Sequence, residues 1–270
     1  MKSKQSKNHN SSASSKAPSF GGGLGVDLNC DMGEGIGKDE SIMPYISSAN
    51  IACCYHAGDE NTIWETMKLA KKYKVSVGAH PSFLDKENFG RKEMNLSPDE
   101  IYELVTQQLI LFNEIAFDAD TSMQHVKPHG ALYIMSAKNI SIAKAIANAV
   151  RDHNTHLVLF GLCGSHSISE AKAIGLKTAS EVFADRTYQD DGSLTSRSQP
   201  DALIEDAGKA IKQVLQMVKK GTVTTISGKI IPIVAETICI HGDGKHAAVF
   251  AKQIHEAIIE EEIKIRPVNK

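Results

Sequence analysis

Short apolar runs alternate with longer amphipathic stretches from residue 24 onward, and this alternation constrains the fold more than any other feature. Alternating strands and helices predict a parallel sheet whose strands are joined by helices. About seven such units in about 245 residues favour a β/α barrel, with an open doubly wound sheet as the alternative. The predicted strands are Val26–Asn29, Ala49–Cys53, Val75–Ala79, Gln124–Lys127, Leu157–Phe160, Lys177–Phe183, Thr222–Ile226 and Thr237–Ile240.

The stretches between these strands carry apolar residues at helical spacing, so each has one apolar face. Ser97 followed by Pro98 predicts a helix start, with an N-cap, a proline at the first helical position and acidic residues in the first turn. The predicted apolar faces are Ile63, Met67 and Ala70; Ile101, Val105 and Leu109; Ile211, Leu215 and Val218; and Phe250, Ile254 and Ile258.

Residues 24–270 are expected to form one domain, preceded by a disordered tail over residues 1–23. The tail is rich in Ser, Lys and Asn and nearly free of aliphatic residues, so it cannot bury enough apolar surface to fold. The net charge of −2 gives no general affinity for nucleic acid or membranes. No apolar run approaches the roughly 20 residues of a membrane span. Five cysteines without a CxxC pair indicate reduced thiols in a cytoplasmic protein.

Polar and charged residues follow strand after strand. In a parallel barrel the carboxyl ends of all the strands converge on one mouth, so these side chains are expected to share a site. Each has a simpler interpretation as a structural histidine, a helix cap or a turn residue. That interpretation weakens because the pattern recurs at four or five strands. The residues are Asp27, Asn29, Asp31, Glu34, His56, Asp59, His80, Lys127, His129, Asp185, Arg186, His241 and Asp243.

Four cations in or beside these loops, Arg91, Lys127, Arg186 and Arg197, are suited to holding a carboxylate or a phosphate. A surface salt bridge is the simpler interpretation for each one alone. Lys127 is the strongest candidate because it directly follows a strand. The chain has no GxxxxGK[ST] loop, no dinucleotide fingerprint and no GxSxG motif.

Six segments together resemble the LamB/YcsF family: DLNCDMGEG, SSANIACCYHAGD, GAHPSFLDKENFGR, VKPHGALY, EVFADRTYQDDGSL with the following RSQ, and CIHGDGKHA. The resemblance runs from about residue 25 to the last predicted helix. Cys54 and Tyr55 depart from it, since the family usually has Gly-Phe at this point. The polar residues around them are retained.

The resemblance implies a seven-stranded, TIM-like β/α barrel related to the polysaccharide deacetylase and glycoside hydrolase superfamily. It also implies ATP-dependent opening of the lactam of 5-oxo-L-proline to L-glutamate, together with partner subunits B and C. The cofactor would be Mg-ATP, bound in this chain or largely by the partners. The sequence leaves open where ATP binds and whether a divalent metal takes part.

This chemistry needs a base to activate water, cations to hold phosphate, and an acid for the ring nitrogen. We expect Asp31 or Asp27 as the base, and His56, His80 or His129 as the acid. Lys127 would be a further catalytic residue. The expected binding residues are Asn29, Glu34, Asp59, Arg91, Asp185, Arg186, Arg197, His241 and Asp243.

Two alternatives stay open at this point. An aspartate with two histidines is a common divalent-metal site, and Asp31, His56 and His80 would be its ligands in an ATP-independent amide hydrolase or deacetylase. The chain could instead be a non-catalytic subunit that binds substrate for its partners.

Overall fold

The computed structural model describes residues 19–20, 23–241 and 247–268. The strands are β1 (Ser19–Phe20), β2 (Gly23–Met32), β3 (Ser48–Ala52), β4 (Ser76–His80), β5 (Met123–Val126), β6 (Val158–Leu162), β7 (Lys177–Phe183), β8 (Thr222–Thr224), β9 (Ile230–Pro232), β10 (Thr237–Ile240) and β11 (Lys264–Ile265). The helices are α1 (Asp39–Ile42), α2 (Glu60–Tyr73), α3 (Pro98–Asp118), α4 (Gly130–Lys138), α5 (Ile140–His153), α6 (His166–Ala173), α7 (Ala207–Lys220) and α8 (Ala247–Glu260).

Seven parallel strands close into a barrel in the order β2, β3, β4, β5, β6, β7 and β10, and β10 pairs back to β2. The predicted barrel is therefore confirmed over the open sheet. The seventh predicted strand, Thr222–Ile226, is wrong as a barrel element. Its residues 222–224 form β8, which pairs antiparallel with β9 in a separate hairpin. Of the three residues in β8 one is fully buried, whereas a central parallel strand such as β3 is buried throughout.

The helices pack around the barrel largely as their apolar patterns predict. Ile63, Met67 and Ala70 of α2 are buried. Helix α3 begins with the predicted N-cap, because Ser97 and Glu100 form a reciprocal capping box. Helix α7 differs from the prediction. Its fully buried face is Ala210, Val214, Met217 and Val218, and the predicted Ile211 and Leu215 are partly buried beside it.

The inside of the barrel is polar near its axis. On β2, Val26, Leu28 and Cys30 are buried in the apolar core, and the alternate residues point to the opposite face. Those inward side chains form hydrogen bonds with side chains of β3, β7 and β10, and an inward side chain of β5 forms one with β3. Gly78 of β4 makes room for this arrangement, since a Cβ there would lie 2.1 Å from the ring of His125.

The predicted tail lies mostly outside the described residues. Two residues within it, Ser19 and Phe20, form β1 and pair antiparallel with the start of β2. All five cysteines are free thiols. No helix in the described ranges is long and apolar enough to cross a membrane.

Candidate active site

A cavity of about 420 Å³ opens at the carboxyl ends of the barrel strands. A larger groove of about 1380 Å³ is lined by α7 and by the loop after β7, and no histidine lines it. The smaller cavity is therefore the candidate site. Of the residues predicted from the sequence, those lining it are Asp31, Glu34, His80, Arg91, Lys127, His129, Arg186, Arg197 and His241.

Lys127 is the central cation of this cavity. Its buried Nζ lies 2.8 Å from Asp31 Oδ1, 2.9 Å from Glu181 Oε1 and 3.2 Å from Cys239 Sγ. Burial lowers the pKa of Lys127, but Asp31, Cys239 and Glu181 outweigh it and raise that pKa well above its usual range. The side chain therefore remains an ammonium at any working pH.

Asp31 is held by neighbours from three strands. Its Oδ1 also accepts from Asn50 Nδ2 at 2.8 Å, and its Oδ2 lies 3.3 Å from His80 Nε2. Burial raises the pKa of Asp31, but His80 and the Lys127 ammonium outweigh it and hold that pKa well below its usual range. Asp31 is consequently an ionised partner of Lys127 and a weak proton acceptor.

An amide pair beneath Asp31 organises the next level of the barrel. Asn50 Nδ2 also donates to Asn29 Oδ1 at 2.7 Å, and His125 Nε2 lies 2.9 Å from Asn50 Oδ1. Asn29 Nδ2 donates to Glu181 Oε1 at 3.0 Å. Asn29 thus positions Glu181, and through it Lys127.

Three histidines form a cluster beside Asp31. The His56 and His129 rings stack with centroids 3.9 Å apart, and the His80 ring meets both edge-on. His80 Nε2 lies 2.9 Å from His129 Nδ1, and Glu34 Oε1 lies 3.3 Å from His56 Nε2. Burial lowers the pKa of His56 to about 3, and burial with the neighbouring rings holds the pKa of His129 well below its usual range.

Gly90 brings the following loop against this cluster. A Cβ there would lie 2.9 Å from His56 Cβ and 3.0 Å from His129 Cδ2, and its φ is +64°. The close approach lets the Phe89 carbonyl accept from His129 Nε2 at 2.9 Å. Arg91 stacks over the Phe89 ring at 5.0 Å and borders the cavity.

A second histidine system lies across the cavity. His241 Nδ1 is 2.8 Å from Asp185 Oδ2, and Arg197 Nη2 donates to His241 Nε2 at 3.0 Å. The carboxylate accepts a proton and the guanidinium only donates one, so the ring carries its proton on Nδ1. Its Nε2 lone pair accepts the hydrogen bond from Arg197, and both side chains line the cavity.

Several predicted residues have other positions. Asp27 lies deeper in the barrel, where it accepts from the hydroxyls of Ser47, Ser48 and Thr237. Asp59 is exposed and caps α2 by accepting from Thr62 N at 2.7 Å. Neither Asp27 nor Asp59 lines the cavity, whereas His56 is buried in the cluster behind it. Asp243 lies outside the described residues.

Arg186 borders the cavity but uses its guanidinium to hold the loop that covers one side. Its Nη2 donates to Thr195 O at 2.6 Å, and its Nε donates to Ala202 O at 3.2 Å. Support of this loop, rather than an open anion-binding position, is therefore its main structural role.

Sequence reasoning missed Asn50, Glu181 and Cys239 as site residues. Each lies on the inward face of a barrel strand and contacts a predicted residue. The available signal was their alternation with apolar neighbours on β3, β7 and β10. That signal requires the strand register, which the sequence alone does not provide.

The fold and the site define a seven-stranded β/α-barrel protein with a charged cavity at the carboxyl ends of its strands. Residues 26–270 match the LamB/YcsF family, and the chain belongs to it. It is 51% identical over 248 residues to the protein named as the A subunit of 5-oxoprolinase in Staphylococcus epidermidis, an alignment that covers 90% of this chain and 98% of that protein.

Solved structures agree with this assignment. The chain is similar to a lactam utilization protein from Thermus thermophilus, with a TM-score of 0.85 and 38% identity, covering 90% of this chain and 99% of that one. A family 4 carbohydrate esterase from Streptomyces lividans shares the fold, with a TM-score of 0.50 and 10% identity, covering 89% and 91%. The predicted β/α-barrel fold is thus confirmed, and the likeness to the esterase is one of fold alone.

Proposed function

We propose that this chain belongs to a multi-subunit 5-oxoprolinase and opens the ring of 5-oxo-L-proline to give L-glutamate, coupled to hydrolysis of ATP to ADP and phosphate. The names of its relatives support this substrate, and the naming of one of them as an individual subunit supports an enzyme of several chains, here with partner subunits B and C. The observation that carries the proposal is the buried Lys127 ammonium, held between two carboxylates in a small cavity with arginines at its rim.

A five-membered lactam is an unreactive amide that needs activation. Transfer of the γ-phosphoryl group to the lactam oxygen releases ADP and makes the carbon electrophilic. Water adds to that carbon, the C–N bond breaks as the ring nitrogen gains a proton, and an acyl phosphate remains. A second water hydrolyses the acyl phosphate to glutamate and phosphate. Each ATP therefore consumes two waters, and one proton passes from water to nitrogen.

Lys127 is suited to the charge that develops on oxygen during these steps. A fixed ammonium within a water-poor cavity stabilises an oxyanion or a phosphoryl oxygen without reorganisation. Asp31 and Glu181 hold that ammonium in place. Arg197 and Arg91 at the rim are suited to the substrate carboxylate, which a guanidinium binds in a bidentate manner.

His241 is the better-placed group for proton transfer. Asp185 fixes its tautomer, and Nε2 can take a proton from water and return it to the ring nitrogen once Arg197, which donates to Nε2 here, binds the substrate carboxylate instead. This refines the sequence-based roles, because the low pKa of Asp31 makes it a weak base. The depressed pKa values of His56 and His129 favour their neutral forms, and the N–H of His129 is already donated to Phe89 O, so neither is well suited to act as the acid.

The two alternatives receive less support. In the ATP-independent hydrolase, Asp31 would be a metal ligand, yet one of its oxygens already accepts from Lys127 and Asn50. In the non-catalytic subunit, Asp185 would have no evident reason to orient His241 toward the cavity.

The test is glutamate release from 5-oxoproline by this chain alone and with subunits B and C, with and without ATP, after chelator treatment. Release that needs ATP and partners, and returns with Mg-ATP, supports the proposal. Cleavage by the chain alone without ATP overturns it in favour of the hydrolase. Turnover by the complex that persists when His241→Gln and Asp31→Asn are combined assigns the chemistry to the partners.

A further inference from the structure

Four side chains at the cavity bring possible metal-ligand atoms close together. Glu34, His56, His80 and His129 each offer one atom, and these atoms all lie within 4.8 Å of one another. Three of the four side chains are buried, and the carboxylate of Glu34 is 7% exposed. The proposed lactam chemistry gives no role to this group as a unit.

The proton positions in the cluster are fixed by backbone carbonyls. His80 Nδ1 lies 2.7 Å from Lys127 O, and His129 Nε2 lies 2.9 Å from Phe89 O. A carbonyl oxygen only accepts, so each ring must carry its proton on the nitrogen that faces the carbonyl. His80 Nε2 then presents a lone pair to His129 Nδ1 at 2.9 Å and to Asp31 Oδ2 at 3.3 Å.

Two facing lone pairs at this distance repel unless a cation lies between or beside them. The third ring, His56, stacks on His129, and its Nε2 lies 3.3 Å from Glu34 Oε1. An additional proton is one possible cation. A divalent ion accounts for the same geometry and also engages the Glu34 carboxylate, whose Oε1 lies 3.3 Å from His56 Nε2 and 3.8 Å from His129 Nδ1.

The hydrogen bonds that His80 and His129 make to Lys127 O and Phe89 O match those that metal-binding histidines make with their second ring nitrogen. A histidine that binds a metal nearly always donates its other ring N–H to a carbonyl or carboxylate, which fixes the ring and the tautomer. His80 and His129 both have this arrangement before any ion is considered.

A neighbouring group of possible ligands serves as an internal contrast. Asp31, Cys239 and His241 also bring ligand atoms together. The ammonium of Lys127 lies 2.8 Å from Asp31 and 3.2 Å from Cys239, so a cation already occupies that position.

We propose that Glu34, His56, His80 and His129 bind one divalent transition-metal ion. Three imidazoles and a carboxylate suit Zn²⁺ and Co²⁺, whereas Mg²⁺ prefers an all-oxygen set. The ion is therefore distinct from the Mg²⁺ that accompanies ATP. This inference goes beyond the proposed function, since binding requires neither ATP nor the partner subunits.

The test uses the isolated full chain after chelation and dialysis. Zn²⁺ is titrated against a chromophoric chelator, and Co²⁺ is followed by its visible absorption. We expect about one ion per chain, a Co²⁺ spectrum with nitrogen and oxygen ligation, and no competition from Mg²⁺. His129→Gln and Glu34→Gln should each weaken Zn²⁺ binding at least about tenfold, since even an outer partner of a ligand is worth that much.

Two controls keep the result specific. His156→Gln changes an exposed histidine outside the cluster and should leave Zn²⁺ affinity unchanged. Asp31→Asn should also retain binding while impairing lactam turnover, which separates failure of this inference from failure of the proposed function. Circular dichroism establishes that each variant is folded, and the Co²⁺ spectrum of the unmodified chain requires no variant.

Three outcomes overturn the proposal. The first is the absence of stoichiometric Zn²⁺ or Co²⁺ binding by the unmodified chain, which would mean that a shared proton joins His80 and His129. The second is unchanged affinity in folded His129→Gln and Glu34→Gln. The third is loss of binding in Asp31→Asn with retention in Glu34→Gln, which would move the ion to the Asp31, His56 and His80 set.

Discussion

Two aspartates, Asp27 and Asp31, lie on the same inward face of β2, and their pKa values are shifted in opposite directions. Burial raises the pKa of Asp27 to about 6. For Asp31 the effect of burial is outweighed by His80 and Lys127, and the pKa is held well below its usual range. The strand supplies the same residue type twice, and the neighbouring strands give each copy a different charge state.

The partners explain the difference. Asp27 accepts from three neutral hydroxyls, of Ser47, Ser48 and Thr237, which stabilise its carboxylate less than a full positive charge would. Glu181, a neighbouring negative charge, also raises its pKa. Asp31 instead contacts the Lys127 ammonium at 2.8 Å. A buried carboxylate near a cation can hold a functional charge, whereas one among hydroxyls is mainly a structural acid.

The largest effect is expected when the cation beside Asp31 is removed. Lys127→Met leaves Asp31 and Glu181 as buried carboxylates without their shared partner. We expect a loss of about 3–5 kcal/mol in the free energy of unfolding, the usual effect of breaking a buried ion pair from one side. Urea denaturation at pH 7.5 measures it.

The control is the double variant Lys127→Met with Asp31→Asn, which also removes one of the two carboxylates left without a cationic partner. It should recover part of the lost stability. A double variant no more stable than Lys127→Met alone would show that the ion pair does not account for the effect.

Neutralisation of Asp31 should reduce function more than stability. Asp31→Asn keeps the shape but weakens the hold on Lys127, and we expect glutamate formation by the complete enzyme to fall about 100- to 1000-fold, as for loss of one electrostatic group. Asp118→Asn, an exposed change at the end of α3, is the control and should retain full turnover. Equal rates for the two variants would exclude a role for Asp31.

The raised pKa of Asp27 predicts that the free energy of unfolding depends on pH. Its folded value of about 6 exceeds its ordinary value of 3.8, so between these values the folded protein holds a proton that the unfolded chain has lost. The contribution of Asp27 to the free energy of unfolding should therefore decline by about 3 kcal/mol as pH rises from 4 to 6, and stay low above that.

Asp27→Asn isolates this contribution. The difference in unfolding free energy between the variant and the unmodified chain should change across pH 4–6 and stay constant from pH 7 to 8. The same series on Asp118→Asn corrects for exposed carboxylates. A difference that does not vary with pH in this window would contradict the assigned environment of Asp27.

The smallest expected effect concerns Cys54, where the chain departs from the usual family sequence. Its φ is +67°, in the left-handed region that favours glycine. Cys54→Gly should relieve this strain and raise the free energy of unfolding by up to about 1 kcal/mol. Thermal denaturation compares it with Cys53→Gly, a change at a buried neighbour without positive φ, which should destabilise instead.

Much of the fold was predictable because its signals are local. Alternation of residues within β2 and the apolar faces of α2 and α3 depend on spacing along the chain, and seven of the eight predicted strands belong to the barrel. The capping box at Ser97 and Glu100 is also a short-range pattern. The β8 hairpin was misassigned because three residues with strand propensity do not reveal which sheet they join.

The sequence by itself determined that polar residues recur at the strand ends, Asp27, Asn29 and Asp31 among them. The tertiary structure alone decided what each of them does. Thr237, which bonds Asp27, is 210 residues away along the chain, and Lys127, which bonds Asp31, is 96 residues away. The charge state of a buried group depends on its nearest partners in space, and those partners are set by barrel closure and strand register.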